Sequence, residues 1–133
     1  MRAKNFVFLL LSAASISPAF AAEWLVFLHQ EKEVPPGLEW SREVVARATG
    51  TIRCNIQSLP PFAITLVNDR AFQAAQRHDV SGKAKSDLLL AVDVTTPEWE
   101  REIQLPEAGS YWFIIENRTS GVSKINLHCS APR

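Results

Sequence analysis

An excess of charge of either sign is missing from this sequence. Lys and Arg number 14 and Asp and Glu number 14 among 133 residues. A general nucleic-acid binder needs surplus positive charge against the phosphate backbone, so that class is excluded. Cysteine is scarce: only Cys54 and Cys129 occur, and they form no Cys-x-x-Cys pair. There is no His-Glu-x-x-His, and His29, His78 and His128 stand far apart, so each reads as a surface histidine and no metal site is expected. No Ser sits in a Gly-x-Ser-x-Gly elbow, and no Ser-x-x-Lys pair supplies an activated nucleophile. His78-Asp79 therefore reads as a solvated loop pair and not as part of a triad. Ser81-Gly-Lys-Ala-Lys85 lacks the phosphate-loop spacing, which excludes nucleotide binding by that motif. No catalytic residue and no cofactor are expected. Repeats, low-complexity tracts and linkers are absent as well.

The one strongly apolar run lies at the start. Arg2 and Lys4 precede the apolar stretch Phe6 to Leu11, smaller residues follow to Phe20, and Ala19-Phe20-Ala21 supplies small residues for cleavage after Ala21. That order is a secretory signal peptide over 1–21. The competing reading, a membrane anchor, needs an apolar core that spans about 30 Å, and Pro18 interrupts this one. The expected mature chain, 22–133, keeps 12 basic and 14 acidic side chains. It is long enough for one domain with a real core. A periplasmic or secreted location follows, and no later stretch is apolar enough to cross a membrane. In such a compartment two cysteines most simply pair.

Alternation dominates the mature chain. Ile52, Cys54 and Ile56 point opposite to Arg53, Asn55 and Gln57, and Ile125, Leu127 and Cys129 opposite to Lys124, Asn126 and His128. Both cysteines thus fall on apolar faces, where inward side chains of packed sheets can meet in a disulfide. The same pattern turns inward Phe62, Ile64 and Leu66; Leu88, Leu90, Val92 and Val94; Trp99, Ile103 and Leu105; and Tyr111, Phe113 and Ile115. Glu43 to Ala48 is a weaker strand. Trp24 to His29 is apolar on both faces, which leaves its orientation open, and the segment Ala22 to Glu39 could be a first strand or a flexible arm. Pro35-Pro36-Gly37, Thr49-Gly50, Pro60-Pro61, Ser81-Gly82, Pro106 to Gly109 and Thr119 to Gly121 mark turns. Asn68 to Arg77 has a capping residue and good helix formers, so one short helix is expected there. About eight strands at this spacing give an all-β fold, one antiparallel sandwich with a short helix and a disulfide.

Leu105-Pro-Glu-Ala-Gly-Ser-Tyr-Trp-Phe-Ile-Ile-Glu-Asn117 resembles the proline, glycine, tyrosine and alternating apolar strand of small extracytoplasmic sandwiches. These include the Golgi-dynamics (GOLD) domain and the bacterial pre-peptidase C-terminal domain. Pro60-Pro-Phe-Ala-Ile-Thr-Leu-Val-Asn-Asp-Arg-Ala-Phe72 adds to the likeness, which covers about Arg42 to Cys129. The resemblance implies a jelly-roll-like sandwich with binding or accessory roles and no catalytic residues. Pre-peptidase domains usually sit beside an enzyme and GOLD domains beside a membrane helix; neither neighbour is found in this chain.

Three features remain for function. Glu98, Glu100 and Glu102 share one strand face about 7 Å apart, unlike a glycosidase pair facing across a cleft, and read as a charged edge strand. Asn117-Arg-Thr119 matches a glycosylation sequon but reads more simply as a turn. Trp112 and Ile114 lie outward, apolar where a solvated strand should be polar. Either the N-terminal Trp24 to Leu28 segment covers them, which the rarity of large exposed apolar patches favours, or Trp112, Ile114 and Trp40 form an interface. The expected function is an exported, non-enzymatic binding or accessory module for a protein or envelope component. The alternative is a carbohydrate-binding sandwich with an aromatic platform, and the third is a small exported hydrolase.

Overall fold

The computed structural model of the chain describes residues 23–77 and 87–133. The expected leader at 1–21, the His78-Asp79 pair and the Ser81 to Lys85 turn lie outside the described residues. Eight strands and one helix follow in order: β1 (Trp24–Val34), β2 (Glu39–Ala46), β3 (Gly50–Gln57), β4 (Phe62–Asn68), α1 (Asp69–Gln76), β5 (Leu88–Val94), β6 (Glu98–Leu105), β7 (Gly109–Asn117) and β8 (Ser123–Pro132). They form two four-stranded sheets, in the orders β1-β8-β3-β6 and β2-β7-β4-β5. Every neighbouring pair is antiparallel. Strands that follow one another mostly lie in opposite sheets, which is the jelly-roll answer to burying two half-apolar sheets against each other.

The period-two pattern fills the space between the sheets. Phe113, Ile115, Ile125, Leu127, Ile56, Ile64 and Leu66 are fully buried, with Phe62 and Leu105 beside them. Trp99 is inward, as its alternation requires. Leu88 departs from the expected inner row and is exposed. A register irregularity between Leu66 and Val67 breaks the ladder opposite it, so the alternation no longer carries Leu88 inward. The strand expected at Glu43 to Ala48 begins earlier, at Glu39, because Trp40 also belongs to its inner row.

Cys54 and Cys129 form a disulfide. It lies within one sheet and not between the two packed sheets. The cysteines are directly opposed on the adjacent strands β3 and β8, with Cα atoms 4.1 Å apart. Closely spaced antiparallel pairs bring facing side chains near enough for this.

The helix is set by its cap. Asn68 Oδ1 accepts from the Ala71 N–H at 2.9 Å. Asp87 then anchors the start of α1: its buried carboxylate accepts from Asn68 Nδ2 at 2.8 Å and from Arg70 Nη2 at 2.6 Å. That hydrogen bond, and the charge of Asp87, hold the Arg70 guanidinium further above its ordinary value.

Candidate binding site

The three residues singled out as an interface do not form one surface. Trp40 is only 9 % exposed and points into the core, opposite Ile115 on β7. Its place on the inner row of β2, in step with Val44, explains this. Trp112 and Ile114 do face outward and are half-buried. The cover over Trp112 is α1 and not the N-terminal segment, which is β1 in the other sheet. Phe72 stacks on the indole with centroids 3.9 Å apart and planes 5° apart, and Trp112 Nε1 donates to Asp69 Oδ1 at 2.9 Å. The helix returning from β4 folds onto the apolar patch that the sequence left open.

A different place is open. β1 and β2 are edge strands of opposite sheets, joined through the corner at Pro35 to Leu38. Asn117 locks that corner. Its backbone N–H donates to Leu38 O at 3.0 Å and its carbonyl accepts from Gly37 N at 2.8 Å. Its buried Nδ2 donates to Val34 O at 2.8 Å and to Gly121 O at 2.7 Å, while Oδ1 accepts from Thr119 N and Thr119 Oγ1. Away from this tie a cleft of about 810 Å³ opens between the sheets, reached by Phe27 and Leu28 on one side and by the 42–49 stretch on the other. That volume lies within the range of small-ligand sites.

The floor of the cleft is apolar and its walls are mixed. Leu28, Val44, Ile52 and Leu105 form its deep part. Two of its lining residues carry apolar side chains in solvent: Phe27 is 44 % exposed and Val45 61 %. A bulge between Val26 and Leu28 turns Phe27 toward the cleft. One residue breaks the pattern. Arg42 occupies the inner row of β2, between Trp40 and Val44 and opposite the core residue Phe113. Its side chain is half-buried, and its Nε is buried with no hydrogen-bond partner among the described residues. Arg47 and Glu43 also border the cleft.

The outer face of the first sheet is polar. Arg53 lies 3.9 Å from the ring centroid of Trp24 and donates to Glu102 Oε2 at 2.9 Å. The Glu98, Glu100, Glu102 strand is an edge, β6, as its charge pattern suggested, although Glu102 is paired. No group of three or more His, Cys, Asp or Glu side chains that could hold a metal occurs among the described residues. No described helix is long and apolar enough to cross a membrane.

No family model and no curated protein matches this sequence. Solved structures are similar to it. The mitogen from Yersinia pseudotuberculosis is 12 % identical, with 84 % of this chain and 87 % of that chain covered and a TM-score of 0.52. A periplasmic inhibitor of g-type lysozyme from Aeromonas hydrophila is 13 % identical over 80 % of this chain and 85 % of its own, with a TM-score of 0.49. A carbohydrate-binding module from Cellvibrio mixtus lichenase 5A, solved with cellotriose, is 11 % identical over 79 % and 88 %, with a TM-score of 0.43. The likeness to the mitogen shows a shared sandwich fold. None of these three is a GOLD or pre-peptidase domain.

Proposed function

We propose that this chain is an exported, non-enzymatic binding module for a protein or envelope component, and that the cleft between β1 and β2 seats its ligand. The observation that carries this reading is Arg42. A cation placed on the inner row of an edge strand, with a buried donor left unpaired, is costly unless something meets it. A ligand with an apolar body and an acidic group does so: the body lies along Phe27, Leu28 and Val44, and the acid accepts from Arg42. Inward charges on edge strands also discourage edge-to-edge pairing, and that role accounts for the position of Arg42 without accounting for its unpaired Nε. The leader pattern and the disulfide support export. The likeness of Leu105 to Asn117 to extracytoplasmic binding sandwiches fits the same role.

A photo-crosslinking residue at Val45, beside the cleft, tests this in the exported fraction, with Ala91 on β5 as the control position. The expected result is a discrete adduct at position 45 that Arg42→Gln abolishes. Equal adducts at 45 and 91, or none at 45, would overturn the assignment of the cleft.

The carbohydrate reading loses its platform at Trp112, where Phe72 occupies the ring face. Trp24, half-buried on the outer face beside Arg53, is another aromatic candidate. A change in Trp24 emission on titration with an oligosaccharide would favour it.

A further inference from the structure

Two histidines separated by most of the chain are brought together on the outer face of the first sheet. His29 on β1 and His128 on β8 are directly opposed in the ladder. Their ring centroids lie 3.8 Å apart with planes tilted by 53°. His29 is exposed and His128 half-buried. Their mutual ring contact is the one interaction either imidazole makes with a described residue. The ring nitrogens are therefore free to ligate. Asn55 on β3 stands opposite His128 on the other side. The nearest carboxylate along β1 on this face, Glu31, accepts from Asn126 at 3.2 Å.

We propose that His29 and His128 together bind one divalent transition-metal ion of the zinc, nickel or copper class. Opposed cross-strand residues have Cβ atoms about 4.5–5.5 Å apart, which lets two imidazoles converge on one ion with metal–nitrogen bonds of about 2.0–2.1 Å. Imidazole selects this class, and calcium and magnesium, which want oxygen donors, are not expected to bind. With two protein ligands the other coordination positions belong to water, so the ion exchanges readily. The ion also acts as a clip. It ties the edge strand β1 to β8 one residue from Leu28, whose side chain lines the cleft. This inference does not depend on the function proposed above.

Tag-free, metal-free, disulfide-bonded mature chain titrated with zinc chloride by calorimetry tests it, with nickel chloride and magnesium chloride as separate arms. The expected result is one zinc or nickel ion per chain and no binding of magnesium. His29→Asn and His128→Asn should each weaken binding at least about tenfold, and the double variant should abolish it. A second readout needs no variant. In the histidine ring spectrum of the wild-type chain, zinc should shift His29 and His128 and leave His78 in place. No binding at millimolar zinc, unchanged affinity in either single variant, or shifts confined to His78 would overturn the site.

Discussion

The indole of Trp112 lies flat on the ring of Phe72, and its Nε1 donates to Asp69 at the start of the same helix. One tryptophan thus holds α1 against the outer face of the second sheet through a stack and a hydrogen bond. Phe72→Ala should cost about 1–3 kcal/mol, the sum of lost burial and lost ring stacking. Trp112→Phe keeps the stack and loses the hydrogen bond, so it should cost only about 1 kcal/mol. Urea midpoints of the two variants check the order. A larger loss for Trp112→Phe than for Phe72→Ala would mean that the stack is not what fixes the helix.

Asn117 should be among the least replaceable polar residues. It is 1 % exposed and its amide serves two acceptors and two donors. Asn117→Ala leaves the carbonyls of Val34 and Gly121 without this partner and removes the acceptor for Thr119, while the backbone bonds to Gly37 and Leu38 remain. The expected loss is on the order of 3 kcal/mol, with Asn117→Asp little better because its carboxylate cannot donate. The same burial leaves no room for a glycan on Asn117 of the Asn117-Arg-Thr119 sequon in the folded chain. The folded fraction from a glycosylating host should therefore be unmodified at Asn117, which intact mass measures directly.

Much of the fold was legible because the sheets are half-buried and the side-chain period of a strand is two. Ile52-Cys54-Ile56, Tyr111-Phe113-Ile115 and Ile125-Leu127-Cys129 state their inner faces in the sequence, and each is inner in the structure. The pairing of Cys54 with Cys129 was legible for the same reason, but its place within one sheet was not, since alternation fixes a face and not a neighbour. Register irregularities hid Leu88 and Phe27, because each breaks the parity on which the reading depends. The site was less legible. Trp112 lacked a visible partner because its cover, Phe72, lies on a helix whose docking no local pattern announces. Arg42 was hidden among polar and apolar neighbours on a weak strand, although a cation in step with Trp40 and Val44 was the available signal. His29 and His128 are 99 positions apart in sequence and adjacent only after β1 pairs with β8.

The Cys54–Cys129 bond joins neighbouring central strands that are 75 positions apart in sequence. Its main effect is on the unfolded chain, where a loop of that size costs about 4 kcal/mol of entropy to close in the chain-entropy account. The paired replacement Cys54→Ala with Cys129→Ala should lower stability by about 2–5 kcal/mol while leaving the folded sheets in place. Urea unfolding with and without reductant should reproduce the difference in the wild type. No change on reduction would mean that burial around the two sulfurs, and not the covalent link, stabilises this part of the sheet.

Arg42 should separate stability from binding. Its stem already lies beside Phe113 on the inner row, and its Nε has no protein partner, so the guanidinium contributes desolvation cost to the unliganded chain. Arg42→Met keeps the stem, removes the unpaired donor and suits the apolar wall of Leu28 and Val44. Replacement of buried ionic groups by well-packed apolar side chains of similar volume is often neutral or stabilising by about 1–4 kcal/mol. The edge position of β2 leaves part of the guanidinium in water, so the lower end of that range applies here. The expected outcome is an unchanged or raised urea midpoint together with loss of the crosslink at Val45. That combination would separate a binding role for Arg42 from a structural one. If Arg42→Met is instead clearly destabilised, the arginine is a structural member of the edge strand, and the cleft must recognise its ligand through Phe27, Leu28 and Val45 alone.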